Sequence, residues 1–350
     1  MQWSLCVATV LVTLLQICDP QFPQIMEQPR VLDSLRLANI LMERPIEGPS
    51  IRKECRMLNS TEYQKIVNAI NAAKLDTRVR PNVHDAYSFL HAHPEVNKGA
   101  HAGPAFLPYH RVLIFLYEKL LRIYDRDVSL CYWDTTVEPE NMEWSAIWTP
   151  ELYGNVQGTV TTGFARGWVT PIAVLNRAGE FVETAAYDPI FWFHHSYVDC
   201  LYERFRQRQK ERGVEPMRDW PVEHGDSAHA PFAPMRIGSL RNIDGAQDFF
   251  SREIVRCEPL PVCTSDRECG DYMRCDRARQ KCISDTLRPP AQVGGMWDSV
   301  ENLVGSLWRS RLSALNDPLA ESSFGFGNVF QQPELFQFSG LRNPRTRRMM

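Results

Sequence analysis

Nine histidines stand in the 350-residue sequence, and their distribution is uneven. His84, His91, His93, His101 and His110 fall within 27 residues, His194 and His195 are adjacent, and His224 and His229 follow. Neutral imidazole suits copper, and a histidine cluster without cysteine or carboxylate companions favours copper over calcium or magnesium. The central stretch runs from Gly99 to Arg111, with His101 and His110 nine residues apart among Gly, Pro and apolar residues. Three imidazoles from two helices and a loop, with coordination positions left over, would make a site open to dioxygen.

The elements that must position these rings are legible as helices. After Pro108 the residues Leu113, Leu116, Tyr117, Leu120, Leu121 and Tyr124 recur at helical spacing, which puts His110 in a first helical turn and His101 in the loop before it. A helix over about 82–91 carries His84 and His91, and another opens at Asp188-Pro189 and carries His194, His195 and Asp199. Two more are expected around 31–42 and from a Ser60 or Thr61 cap to about Lys74. Residues 135–188, rich in Gly, Thr, Pro and Trp, and residues 211–250 read as loops with short strands at most.

Composition narrows the class. An apolar content of 44% with 11% aromatics supplies a buried core. A net charge of -3 gives no electrostatic reason to expect nucleic acid or an acidic membrane surface. The apolar stretch Leu5–Ile17 is short for a membrane span and reads as a signal peptide over residues 1–18, hence a secreted protein. Beyond it eight cysteines remain, an even number that in this compartment implies disulfides. Cys257, Cys263, Cys269, Cys275 and Cys282 read as a small stapled module over 257–283, with disulfides favoured over zinc because CxxC pairs are absent. Asn59-Ser60-Thr61 is a glycosylation acceptor triplet. An amphipathic helix through Trp297, Leu307 and Leu315 and a flexible basic tail complete residues 284–350.

At this point the motifs become specific. His101–Arg111, followed by Glu118 and Tyr132-Trp133-Asp134, resembles the first copper signature of tyrosinases and molluscan-type haemocyanins, the type-3 copper family. Asp188-Pro189-Ile190-Phe191-Trp192-Phe193-His194-His195-Ser196-Tyr197-Val198-Asp199 resembles the end of the second signature, in the family's order. Glu151–Asn155 and Asn242–Gly245 are similar to secreted invertebrate members. The resemblance covers roughly residues 80–260 and places a copper domain at 81–256, after an N-terminal extension at 19–80. It implies a mainly α fold with a type-3 copper four-helix-bundle core and extensive loops, oxidation of phenols or catechols to o-quinones at a dicopper site, and a role in pigmentation or extracellular matrix cross-linking. Implied partners are phenolic small molecules or tyrosine side chains of matrix proteins, with no nucleic acid and no membrane.

Carried over residue by residue, His101 and His110 are ligands of the first copper and His91 completes the set, with His84 and then His93 as alternatives. His195 is the ligand of the second copper, and His194 points away along the helix. Asp199 is placed to orient an imidazole or a neighbouring Arg. One departure matters. The family supplies two further ligands for the second copper from a His-x3-His helix upstream of the paired histidines, and no histidine stands between His110 and His194. Residues 171–187 are too few for that helix, so one core helix is missing, and His224 or His229 are remote replacements. The chain is then expected to expose apolar surface. A second reading follows: a catalytically impaired matrix protein holding one copper where the family holds two.

Overall fold

The computed structural model describes residues 29–46, 48–138, 142–177, 182–221 and 225–286. The expected signal peptide, the 297–315 helix, the basic tail and His224 lie outside them.

Five α-helices carry the fold: α1 (Val31–Glu43), α2 (Ser60–Leu75), α3 (Val83–Ala92), α4 (Phe106–Leu121) and α5 (Ile190–Glu211). The cap of α2 is Asn59, one residue before Ser60 and two before Thr61, the caps expected, with Glu62 returning a bond to complete a capping box. Asn59 Oδ1 makes the cap, so the amide nitrogen that a glycan would take is not the capping atom. The α3 helix is capped by Asn82, whose side chain accepts from Asp85 N. It packs against α1 and α2, while α4 packs against α5 and against the turn Asn242–Ala246. Of the apolar row expected on α4, Leu113, Leu116, Tyr117, Leu120 and Leu121 are each fully covered, while Tyr124 lies past the helix end and is half-buried. Helix α4 starts two residues before Pro108, so His110 lies just beyond its first turn.

Residues 30–80 belong to the same compact unit as the helices that follow. Strand β1 (Ser50–Arg52) pairs in parallel with β2 (Val255–Cys257), and Cys55–Cys131 ties the segment to the Tyr132-Trp133-Asp134 stretch. Cys257 does not staple the C-terminal module, as its spacing had suggested. It pairs with Cys200 on α5, and the module is closed by Cys263–Cys275 and Cys269–Cys282 around a hairpin of β3 (Met273–Asp276) and β4 (Lys281–Ser284). This hairpin docks through Ala146 N donating to Asp285 O and packs around Val137 and Met57.

Among the described residues, the exposure of apolar surface expected around 171–188 is slight. Of the large apolar side chains exposed among the described residues, only Ile172 lies in 171–188. A short 3-10 segment, Val182–Tyr187, leads into α5. Ser88 Oγ donates to Ala186 O and His84 Nε2 lies 3.2 Å from Tyr187 O, so α3 grips this segment by its backbone. Arg177 forks onto Asp188 at 2.7 and 3.1 Å and closes its far end.

Candidate metal centre

His91, His101 and His110 converge. Their ligand atoms all lie within 4.8 Å of one another. Three separate local features aim them: His91 ends α3, His101 stands in the loop, and His110 faces back from α4. The His91 and His101 Nε2 atoms are 2.9 Å apart. His110 Nδ1 lies 2.9 Å from Phe106 O, and a carbonyl can only accept, so Nδ1 carries the proton and Nε2 carries a lone pair. That Nε2 is buried and has no hydrogen-bond partner. A buried acceptor left unmet costs about 1–3 kcal/mol, and a cation is the partner its geometry suits. Burial, followed by the neighbouring His91 and His101, holds the His110 ring well below its usual proton affinity, so it is neutral and able to bind metal at neutral pH. The donor set fits one copper ion.

His84 and His93, the alternatives for the first ligand, stand elsewhere. His84 is fully buried, with Nδ1 3.0 Å from the Tyr117 hydroxyl and its ring against Trp168. Burial lowers its pKa to about 4. His93 packs on Phe89 and accepts from Glu95 N.

His195 comes to the same place by a different route. Its ring stacks on His110, centroids 4.2 Å apart and planes 10° from parallel. Phe191 touches His91 at 4.7 Å and His195 at 4.3 Å, and Phe106 covers His110 at 4.5 Å. Two phenyl rings therefore wall the imidazoles. His194 faces the other way, towards Trp133, centroids 6.1 Å apart. Among the described residues, no further histidine joins His195 to form a second group of three.

Asp199 does not touch an imidazole; it holds two arginines. Its carboxylate accepts from Arg52 Nη1 at 2.9 Å and Arg111 Nε at 2.6 Å. Arg52 continues to Glu118 at 3.0 Å and Arg111 to Glu203 at 3.1 Å. Glu118 also accepts from Ser50 Oγ and from Leu130 N. Burial pushes the Asp199 carboxyl up, but Arg111 and Arg52 outweigh it and hold the pKa below its ordinary value. Arg111 follows His110, and Asp199 is four residues beyond His195, so this buried network joins the helices that carry the two stacked rings. Arg52 was missed from the sequence because it ends a three-residue strand, too short to give a periodic signal.

A sequence model described as the common central domain of tyrosinase matches residues 81–178 and 167–208. The two pieces overlap at 167–178, within the histidine-free stretch between His110 and His194. A tyrosinase-like protein of Pinctada maxima is 29% identical over 319 aligned positions, covering 69% of each chain. Those positions exceed 69% of 350 residues, so the alignment opens gaps in this chain. A tyrosinase-like protein of Caenorhabditis elegans is 28% identical over 311 positions, covering 68% of this chain and 43% of that one. Among solved structures, deoxygenated hemocyanin from Rapana thomasiana is similar with a TM-score of 0.45 and 18% identity, over 61% of this chain and 70% of that chain.

Proposed function

Because the chain belongs to the type-3 copper tyrosinase family and is a copper protein of tyrosinase type, we propose that it binds a single copper ion through His91, His101 and His110. The observation that carries this reading is the buried, partnerless Nε2 of His110 facing two further imidazoles. Copper in such a site supplies the redox chemistry by which dioxygen oxidises phenols. The protein's own contribution is orientation and shielding. The Phe106 carbonyl fixes the His110 tautomer, and Phe106 and Phe191 present flat apolar walls that exclude water and suit an aromatic ring. With His195 alone to serve a second ion, efficient hydroxylation of monophenols is not expected, and the protein acts as an impaired phenol oxidase or a matrix-binding scaffold.

The proposed compartment is extracellular. All eight cysteines among the described residues are paired, which fits an oxidising environment, and Leu5–Ile17 has the length and position of a signal segment. No helix among the described residues is long and apolar enough to cross a membrane. Phenolic small molecules and tyrosine side chains of matrix proteins are the proposed partners.

A second reading, a working dicopper phenol oxidase, draws on the stacking of His195 on His110, which brings a fourth imidazole to the same pocket. Copper content per purified chain, measured with catechol oxidation, separates the two. One copper with negligible catechol turnover is the expected result. Two coppers with turnover would establish the dicopper enzyme, and no copper would remove both readings.

A further inference from the structure

We propose that His229 is a positioning residue for His101, holding its loop in the copper-binding conformation; this rests on the copper-site reading above. Residues 93–105 contain no helix or strand, yet the loop must deliver His101 to a fixed point. Ala102, next in sequence, adopts φ 59°, the left-handed region that residues with a Cβ avoid. Such a conformation persists only when the surroundings impose it. The loop is tied down on either side of this point, where Ala100 N donates to Asn97 O and Phe106 N to Gly103 O, but Ala102 is exposed and His101 half-buried.

The constraint comes from the short turn Ser227–His229. A Cβ added to Gly103 would lie 2.5 Å from both Cγ and Cδ2 of His229, so the imidazole sits directly against the backbone two residues after His101. A Cβ on Gly99 would meet the Ala228 carbonyl oxygen at 2.9 Å, so the same turn also closes on the loop ahead of His101. The turn is itself well anchored. Asn242 Nδ2 donates to Ala228 O at 2.7 Å and Ala230 O at 2.9 Å, Asp226 accepts from Ala228 N at 2.8 Å, and Trp220 Nε1 donates to His229 O at 3.1 Å. Because the Asn242–Ala246 turn packs on α4, the clamp on His101 and the helix bearing His110 share one support.

His229 acts by contact rather than as a ligand. It lies outside the group whose ligand atoms approach within 4.8 Å. Its side chain is buried, and its Nδ1 has no hydrogen-bond partner, so that atom does not determine where the ring rests. What the ring offers the loop is a rigid surface that leaves no room for a side chain at 103. That explains why a glycine stands between two metal ligands on a loop whose strained residue is an alanine.

The test is copper(II) titration of the metal-free full chain, read by affinity and by the copper(II) EPR spectrum, with circular dichroism to confirm folding. H229A is expected to bind copper about tenfold or more weakly, with a changed spectrum, the scale seen when residues supporting metal ligands are removed. H229F, which keeps a flat ring and no nitrogen, should recover most of the affinity. G103A should weaken binding by forcing the ring away, and adding H229A to it should restore affinity relative to G103A alone. Wild-type affinity and spectrum in folded H229A would overturn the proposal. So would H229F as weak as H229A, because the nitrogen would then be the active feature and His229 a ligand. If H229A fails to fold, G103A with and without H229F carries the same comparison: equal affinities for G103A and wild type overturn the clamp. A wild-type chain that takes up no copper would defeat the copper reading itself, an outcome distinct from those.

Discussion

Replacing Asp199 by Asn removes one buried charge without changing shape, and its cost can be worked from the network. Asp199 is 8% exposed, while the Arg52 and Arg111 side chains are 0% and 2% exposed. Losing the carboxylate leaves two guanidiniums short of charge where water cannot reach them. Breaking a buried pair by removing one partner costs about 3–5 kcal/mol. Arg52 keeps Glu118 and Arg111 keeps Glu203, which places D199N at the lower end, about 3 kcal/mol, against a total stability of about 5–15 kcal/mol. Urea unfolding with the disulfides intact measures this difference. Its pH dependence is a second, independent signature. The folded pKa lies below the ordinary value, so the stabilisation is fully present above the unfolded carboxylate value near 3.9 and is lost as pH falls through the folded value. The gap between wild type and D199N should hold constant from pH 8 to 5 and narrow below about 4. A difference below about 1 kcal/mol at pH 7 would refute the assignment of this network as a main tie between α4 and α5.

Two further predictions follow from the same structure. His84 titrates at about 4 against an ordinary 6.5, burial outweighing the nearby Asp85 carboxylate. The unfolded chain therefore takes up a proton first as pH drops, and stability should fall by roughly 2 kcal/mol between neutrality and pH 5, a slope that H84Q should lose when urea midpoints are compared across that range. Asn59→Ala removes the capping box of α2 and should lower stability by about 1 kcal/mol, read as a reduced melting temperature of non-glycosylated protein; an unchanged melting temperature would show that α2 does not depend on its cap.

The helices that carry the site were legible because each announces itself locally, through an apolar row on α4 and an Asn cap on α3. The choice among first ligands was harder for a physical reason. His84 and His91 are seven residues apart, two helical turns, so they share a face of α3 and no periodicity argument separates them. What separates them is height: about 10 Å along the axis puts one ring beside Tyr117 and the other beside His101. The Cys257 pairing was hidden for the usual reason that connectivity does not follow from spacing. Arg52 and His229 were illegible because their partners are 147 residues away at Asp199 and 126 residues away at Gly103, and each comes from an element of only three residues.

The same contrast explains how half a site can persist. The three proposed ligands come from one continuous stretch, 83–110, so α3, α4 and their loop, held by the Ser227–His229 turn, suffice to bring them together. No histidine stands between His110 and His194, and the position of His195 is accounted for by contacts that involve no metal. Trp192 stacks on Tyr117 at 3.8 Å, Cys200 is tethered to Cys257, and Asp199 is gripped by Arg52 and Arg111. These contacts would hold α5 against α4 whether or not a second ion ever bound. His195 is accordingly a ring kept in place by the packing of its neighbours, and its stacking on His110 does not by itself call for a second copper.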